Sequence, residues 1–205
     1  IRYLYQVLRA GTPAQVFAQI LAGFELTVAD PRIVGLNLVQ PEDDRVAMAD
    51  FSLHMVIIGR LRQKYPSVPV SLHAGELAPG LVPPEGLRSH IRESVEVAGA
   101  RRIGHGVDVL HEDDADGLLR EMAARHVLVE IALSSNAAIL GVSGAAHPFA
   151  AYRRYGVPMA LVSDDPGVLR DDLTADFARA VVEQGADYRF LKRMARTPSP
   201  ISRKS

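Results

Sequence analysis

Three short strings in this chain combine side chains that bind cations or move protons with residues that let the backbone turn. They are Ser71-Leu72-His73-Ala74-Gly75-Glu76, Arg102-Ile103-Gly104-His105-Gly106 and Val162-Ser163-Asp164-Asp165-Pro166. A histidine closing an apolar run presents its imidazole at a strand end, and a carboxylate three residues on curls back beside it through a turn that Gly75 permits. The same string also suits a strand-end histidine followed by a surface glutamate. His105 lies between two glycines, which allow a ligand or backbone to approach the ring closely, or else mark a tight corner. Asp164 and Asp165 repel each other unless a cation or a proton sits between them. In extended backbone their side chains alternate, so one can take a metal while the other faces a ligand. An Asp-Asp-Pro string is also an ordinary helix start.

These residues need a scaffold, and the apolar periodicity supplies one. Strands are expected over Arg2–Leu8, Arg32–Val39, Val68–His73, Arg101–Gly106, Val127–Leu133 and Pro158–Ser163. Helices are expected over Thr12–Val28, Met48–Lys64, Pro84–Ala98, Glu112–Arg125, Pro148–Tyr155, Leu173–Glu183 and Tyr188–Arg196. Thr12-Pro13 opens the first of these as an N-cap followed by a first-turn proline. Strands that are continuous apolar runs alternating with helices indicate a parallel sheet covered on both faces. A doubly wound sheet and a barrel both satisfy that pattern. The placing of His73, His105, Asn136 and Asp164 at the C-terminal ends of four strands favours the (β/α)₈ barrel, where catalytic groups collect on that face. Only six strands are countable, so either two strands are missing or the sheet stays open, and residues 1–196 are expected to form one domain. Residues 197–205 are read as a disordered tail.

Composition narrows the partners. The 205 residues carry a formal net charge of −1, which offers no positive field for a phosphate backbone, so nucleic acid is not expected. No apolar stretch approaches the ~20 residues of a membrane span, and no signal pattern opens the chain. With no cysteine, a metal would have to be held by His, Asp and Glu. A cytoplasmic location and a small-molecule ligand are the expectations, and the oligomeric state is left open. The other histidines, His54, His90, His111, His126 and His147, read as surface or capping residues. Glu42-Asp43-Asp44 reads as a solvated loop, with packing near the barrel mouth as an alternative.

Taken in order, His-Ala-Gly-Glu, Arg-Ile-Gly-His-Gly, Ser134-Ser135-Asn136 and Ser-Asp-Asp-Pro resemble the adenosine deaminase family, and more closely its bacterial and growth-factor-related branches. The resemblance implies a (β/α)₈ barrel, incomplete here with its first two strands missing, that binds one Zn²⁺, and the hydrolytic deamination of adenosine, or a related adenine nucleoside, to inosine and ammonia. Position by position it implies that His73 and Asp164 are metal ligands, that Glu76 is the proton shuttle and that His105 orients the attacking water. Asp165 would hold both water and purine, Gly75 and Gln40 would lie against the substrate, and Ser135-Asn136 would shape the site without chemistry.

Three departures accompany the resemblance. No His-x-His pair, which supplies two of that family's zinc ligands, occurs anywhere. Asn37-Leu38-Val39-Gln40 stands where the family has Asp-Leu-x-Gly, which opens the alternative of another adenine derivative, of the AMP or aminodeoxyfutalosine type. Pro198–Ser205 replaces a closing helix. The missing ligand pair also admits an inactive fragment or binding module, with weak metal binding expected.

Overall fold

The computed structural model describes residues 1–197, so the tail expected over 197–205 lies outside the described residues except for Thr197. Among the described residues six strands run in chain order: β1 (Tyr3–Leu8), β2 (Ile33–Val39), β3 (Ser71–Ala74), β4 (Arg102–His105), β5 (Leu128–Ile131) and β6 (Met159–Leu161). All pairings are parallel. β1 pairs with β2 from Tyr3↔Ile33 to Leu8↔Val39, and β3, β4, β5 and β6 form a four-stranded sheet in that order. A single parallel bridge, Leu36↔Val70, joins the two sheets into one arc. The sequence of neighbours is that of a partly wound barrel in which each connection is a helical crossover.

Helices cover the outer face. α1 (Pro13–Ala29) starts with a reciprocal capping box, in which Gln15 N–H donates to Thr12 Oγ1 and Thr12 N–H to Gln15 Oε1. Its buried stripe, Val16, Ile20 and Phe24, meets Val7, Leu36 and Leu38 in the main core, which runs on through Met55, Ile58, Val70, Leu72, Ile91, Ile103, Val129 and Ile131. Each fully buried side chain of this kind contributes about 1.5–3 kcal/mol.

The helix expected over Met48–Lys64 is two helices, α2 (Arg45–Ala49) and α3 (Phe51–Lys64). Asp44 starts α2 by accepting from Val46 N at 2.8 Å and Ala47 N at 3.2 Å, and Asp50 with ψ near 8° breaks the run. The helix expected over Pro84–Ala98 is a 3₁₀ turn at Pro84–Leu87 followed by α4 (His90–Glu96). α5 (Ala115–Ala124) and α7 (Phe149–Tyr155) lie within the expected spans. So do α9 (Leu173–Val182) and α10 (Tyr188–Met194). Two helices were not anticipated: α6 (Leu133–Leu140), which begins where β5 was expected to continue, and the short α8 (Pro166–Leu169).

Two histidines contradict their surface or capping assignment, and a third caps a helix from a buried position. His54, on the inner face of α3, is fully buried and its ring nitrogens have no partner; burial lowers its pKa, which favours the neutral ring. His90 is buried at the start of α4, its ring stacked on Phe51 with centroids 3.6 Å apart. His147 is buried before α7, where its Nδ1 accepts from Phe149 N at 3.1 Å, so the capping reading holds and the surface one does not. His111 and His126 are exposed, as expected.

Candidate active site

The C-terminal ends of β3, β4 and β6 aim their last side chains at one another. His73 and His105 have ring centroids 5.0 Å apart. His105 Nδ1 lies 3.7 Å from Glu76 Oε1, and its Nε2 4.0 Å from Asp164 Oδ2. One donor atom from each of Glu76, His105 and Asp164 falls within 4.8 Å of the others. His73, Glu76, Asp164, Asp165 and Gln40 line a cavity of about 540 Å³, which Leu81, Ile139 and Leu140 close with apolar surface. A hollow of about 190 Å³ beneath it reaches His105 and Asn37 and is floored by the Arg102–Glu130 ion pair, at 3.1 Å.

The backbone is bent to make this possible. His105 has φ +68° and Asp165 φ +45°, left-handed values that cost a residue with a β-carbon about 1–3 kcal/mol each. At Gly75, φ +75°, an added β-carbon would come within 2.5 Å of Asp108 Oδ1 and 2.6 Å of Ile91 Cδ1. Gly75 thus serves the turn that returns Glu76 to His105, and it does not line the cavity. Asp165 does precede a helix, as its string suggested, but its side chain makes no capping bond and remains with the cavity.

Glu42 is buried at the base of the site, which rules out the solvated-loop reading and matches the alternative of packing near the barrel mouth. It is buried, and its Oε1 accepts from Gly75 N at 3.1 Å and lies 2.6 Å from His90 Nδ1. Its Oε2 accepts from Glu76 N at 2.9 Å. One carboxylate therefore holds both amides of the turn carrying Glu76. Burial alone would raise its pKa, but the His90 hydrogen bond, the charges of Arg9 and His90 and the Gly75 N–H outweigh it and hold the group at about 2. Arg9, fully buried just beyond β1, donates to Val39 O at 3.3 Å and His73 O at 3.4 Å. The sequence signal for Glu42 was its position three residues past the end of β2; for Arg9, at the end of β1, there was none.

Electrostatics divide the site into neutral imidazoles and one reluctant acid. Burial, with the repulsion a protonated His105 would exert and the charge of Arg9, lowers His73 to about 3, and burial lowers His105 to about 4. Glu76 is raised to about 7 by burial and by the charges of Asp164 and Glu42. A carboxyl near 7 exchanges protons at neutral pH.

The donors suit a divalent cation. Neutral imidazole and carboxylate are the ligand types left to a chain without cysteine, and they are those that zinc accepts. Ser135 Oγ–H donates to Asp164 Oδ2 at 2.8 Å, steering the carboxylate. Asn37 Oδ1 accepts from His73 N at 3.0 Å and also lies 3.0 Å from its Nδ1, while Asn37 Nδ2 is 2.8 Å from the same nitrogen. The tautomer in which Nδ1–H donates to Oδ1 leaves Nε2 unprotonated, as a ligand must be. Gln40 keeps the left-handed backbone, φ +80°, that glycine would adopt, and its Oε1 accepts from Ala10 N at 2.8 Å.

The family model for adenosine deaminase matches residues 1–200. Adenosine deaminase of Escherichia coli (strain SE11) is 35% identical over 117 residues, which are 57% of this chain and 32% of that one. Among solved structures, an adenine deaminase from Arthrobacter aurescens superposes with a TM-score of 0.69 at 20% identity, covering 93% of this chain and 52% of that chain. The N6-methyl-AMP deaminase from Arabidopsis thaliana gives 0.69 at 23% identity, covering 95% and 52%. An amidohydrolase from Burkholderia ambifaria with bound Zn gives 0.66 at 16% identity, covering 94% and 49%. The chain spans about half the length of these structures, and its parallel strands form part of a barrel of the same fold.

Proposed function

This chain belongs to the adenosine deaminase family, and on that premise we propose that it carries the acid–base residues and part of the cation site for hydrolytic deamination of an adenine nucleoside, adenosine to inosine and ammonia. The observation that supports the reading most is the convergence of Glu76, His105 and Asp164 from three strand ends, with His73 beside them.

His73 and Asp164 would hold the ion, which we propose to be zinc. When bound, such an ion supplies the acidity that makes hydroxide available from water near neutral pH. Glu76, protonated, donates to purine nitrogen 1 and makes carbon 6 electrophilic. It then takes the proton of the attacking water and passes it to the amine that leaves as ammonia. His105 and Asp165 aim the water at carbon 6, and such orientation is worth several kcal/mol. Leu81, Ile139 and Leu140 would cover the purine face.

None of the described residues lining the cavity is Arg or Lys, while Glu42, Asp43, Asp164 and Asp165 line it. That charge pattern favours an uncharged nucleoside over a phosphate-bearing adenine derivative. Two protein donors are fewer than the three of an ordinary catalytic zinc site, so the 205-residue chain by itself is expected to hold zinc weakly.

The test is absorbance at the adenine band of the full-length protein carrying these residues, supplied with zinc. Adenosine should be converted and AMP should not, and Glu76→Gln should abolish conversion while zinc content is unchanged. Failure to deaminate any adenine compound would remove the assignment; conversion of AMP in preference to adenosine would remove the nucleoside reading alone.

A further inference from the structure

Behind His105 runs a line of buried polar groups that the proposed reaction does not use. Phe149 N lies 3.1 Å from His147 Nδ1, His147 Nε2 lies 3.2 Å from Asn136 Oδ1, and Asn136 Nδ2 lies 3.0 Å from His105 Nδ1. His147 and His105 are 2% and 4% exposed and Asn136 is fully buried, so no solvent competes for these contacts.

The first member decides the direction of the whole line. A backbone N–H can only donate, so His147 Nδ1 accepts and the proton of the neutral ring is on Nε2. That Nε2–H donates to Asn136 and requires the amide oxygen to face His147. The amide nitrogen must then face His105, where it donates to Nδ1. His105 is left with its proton on Nε2, the nitrogen on the side of Asp164. The opposite tautomer would need an acceptor for an Nδ1 proton, and Glu76 Oε1, at 3.7 Å, is beyond hydrogen-bonding distance.

We propose that His147 is a positioning residue that acts through Asn136 to fix the tautomer of His105, so that His105 meets the cavity with an N–H donor. The ring is thereby unavailable as a metal ligand through Nε2, and Nδ1 is already occupied by Asn136. His105 can then only aim a water or hold an acceptor, which divides the labour with His73. His105 holds a left-handed backbone, φ +68°, at the place where its Nδ1 meets Asn136 Nδ2. The consequence for water alignment rests on the deaminase reading above; the tautomer does not.

The experiment is a long-range proton–nitrogen NMR correlation of the histidine rings in the ¹⁵N-labelled full chain at pH 7 without substrate, with His105 assigned by loss of its signals in His105→Gln. In the unsubstituted protein, Nδ1 of His105 should resonate as an unprotonated acceptor and Nε2 as a protonated nitrogen. In His147→Leu the Asn136 amide is free to turn over, and the two nitrogen shifts should move toward each other as the tautomers mix. Should that variant not fold, Asn136→Asp carries the test, because a carboxylate has no N–H to offer and Nδ1 should become protonated. A protonated Nδ1 in the unsubstituted protein, unchanged shifts in His147→Leu, or an Nδ1 still unprotonated in Asn136→Asp overturns the proposal. No turnover is read, so failure of this relay leaves the deaminase reading standing, and absence of deamination leaves the relay standing.

Discussion

Replacing Glu42 by Gln tests the strongest electrostatic claim made for the site. The carboxylate accepts two backbone amides and faces His90, and its pKa is held at about 2 against an ordinary value of 4.5. At ~1.4 kcal/mol per pH unit, that depression is worth about 3 kcal/mol of folding stability. Hydrogen bonds to a charged group are each worth about 1.5–3 kcal/mol, which gives a figure of the same order. A Gln side chain keeps one acceptor oxygen but turns an NH₂ group toward either an amide donor or His90. The sign follows from the direction: a depressed carboxylate contributes fully above 4.5, and its contribution is lost as pH falls through about 2. Urea unfolding followed by circular dichroism should therefore show Glu42→Gln less stable than wild type by about 3 kcal/mol at pH 7, or about 6–12 °C in Tm for a chain of this size. The gap should narrow steadily from pH 4.5 to pH 3. A difference under about 1 kcal/mol at pH 7, or one that does not narrow in acid, would refute the claim that this carboxylate is held ionised in the base of the site.

Two further substitutions probe the surroundings. Glu112 is raised to about 7 by burial, against the pull of the Ile91 and Arg92 amides, so the stability it contributes is complete below 4.5 and lost as pH rises through 7. Glu112→Gln still accepts from those amides, and the difference between wild type and variant should shift by about 3 kcal/mol in favour of the variant between pH 4.5 and pH 8; parallel stability curves would contradict this. Tyr152 O–H donates to Gly106 O at 2.6 Å inside the core, and Tyr152→Phe leaves that carbonyl without a partner. The expected cost is about 1–3 kcal/mol by urea titration, and an unchanged midpoint would show that the carbonyl finds another donor.

Much of the scaffold is local in origin and was legible. Apolar runs such as Ile33–Val39 read as buried strands and Thr12-Pro13 as a helix start, and both appear within a residue or two of their expected places. The break at Asp50 and the start of α6 at Leu133 were not legible, because a helical apolar pattern continues across the first and a strand-like run leads into the second. The burial of His147 was not legible for a different reason: its capping contact with Phe149 is local, but its contact with Asn136 of α6 comes from 11 positions away.

The residue types and their order along the chain determined by themselves that a parallel α/β array would present His73, Glu76, His105, Asp164 and Asp165 at strand ends, because strand period and turn chemistry act over a few residues. Only the tertiary structure decided which groups support them. Glu42 meets Gly75 and His90 from 33 and 48 positions away, and Asn136 meets His105 from 31. Whether a carboxylate is ionised or an imidazole carries its proton on one nitrogen or the other depends on such distant partners and on burial, and neither is a property of a string of neighbours.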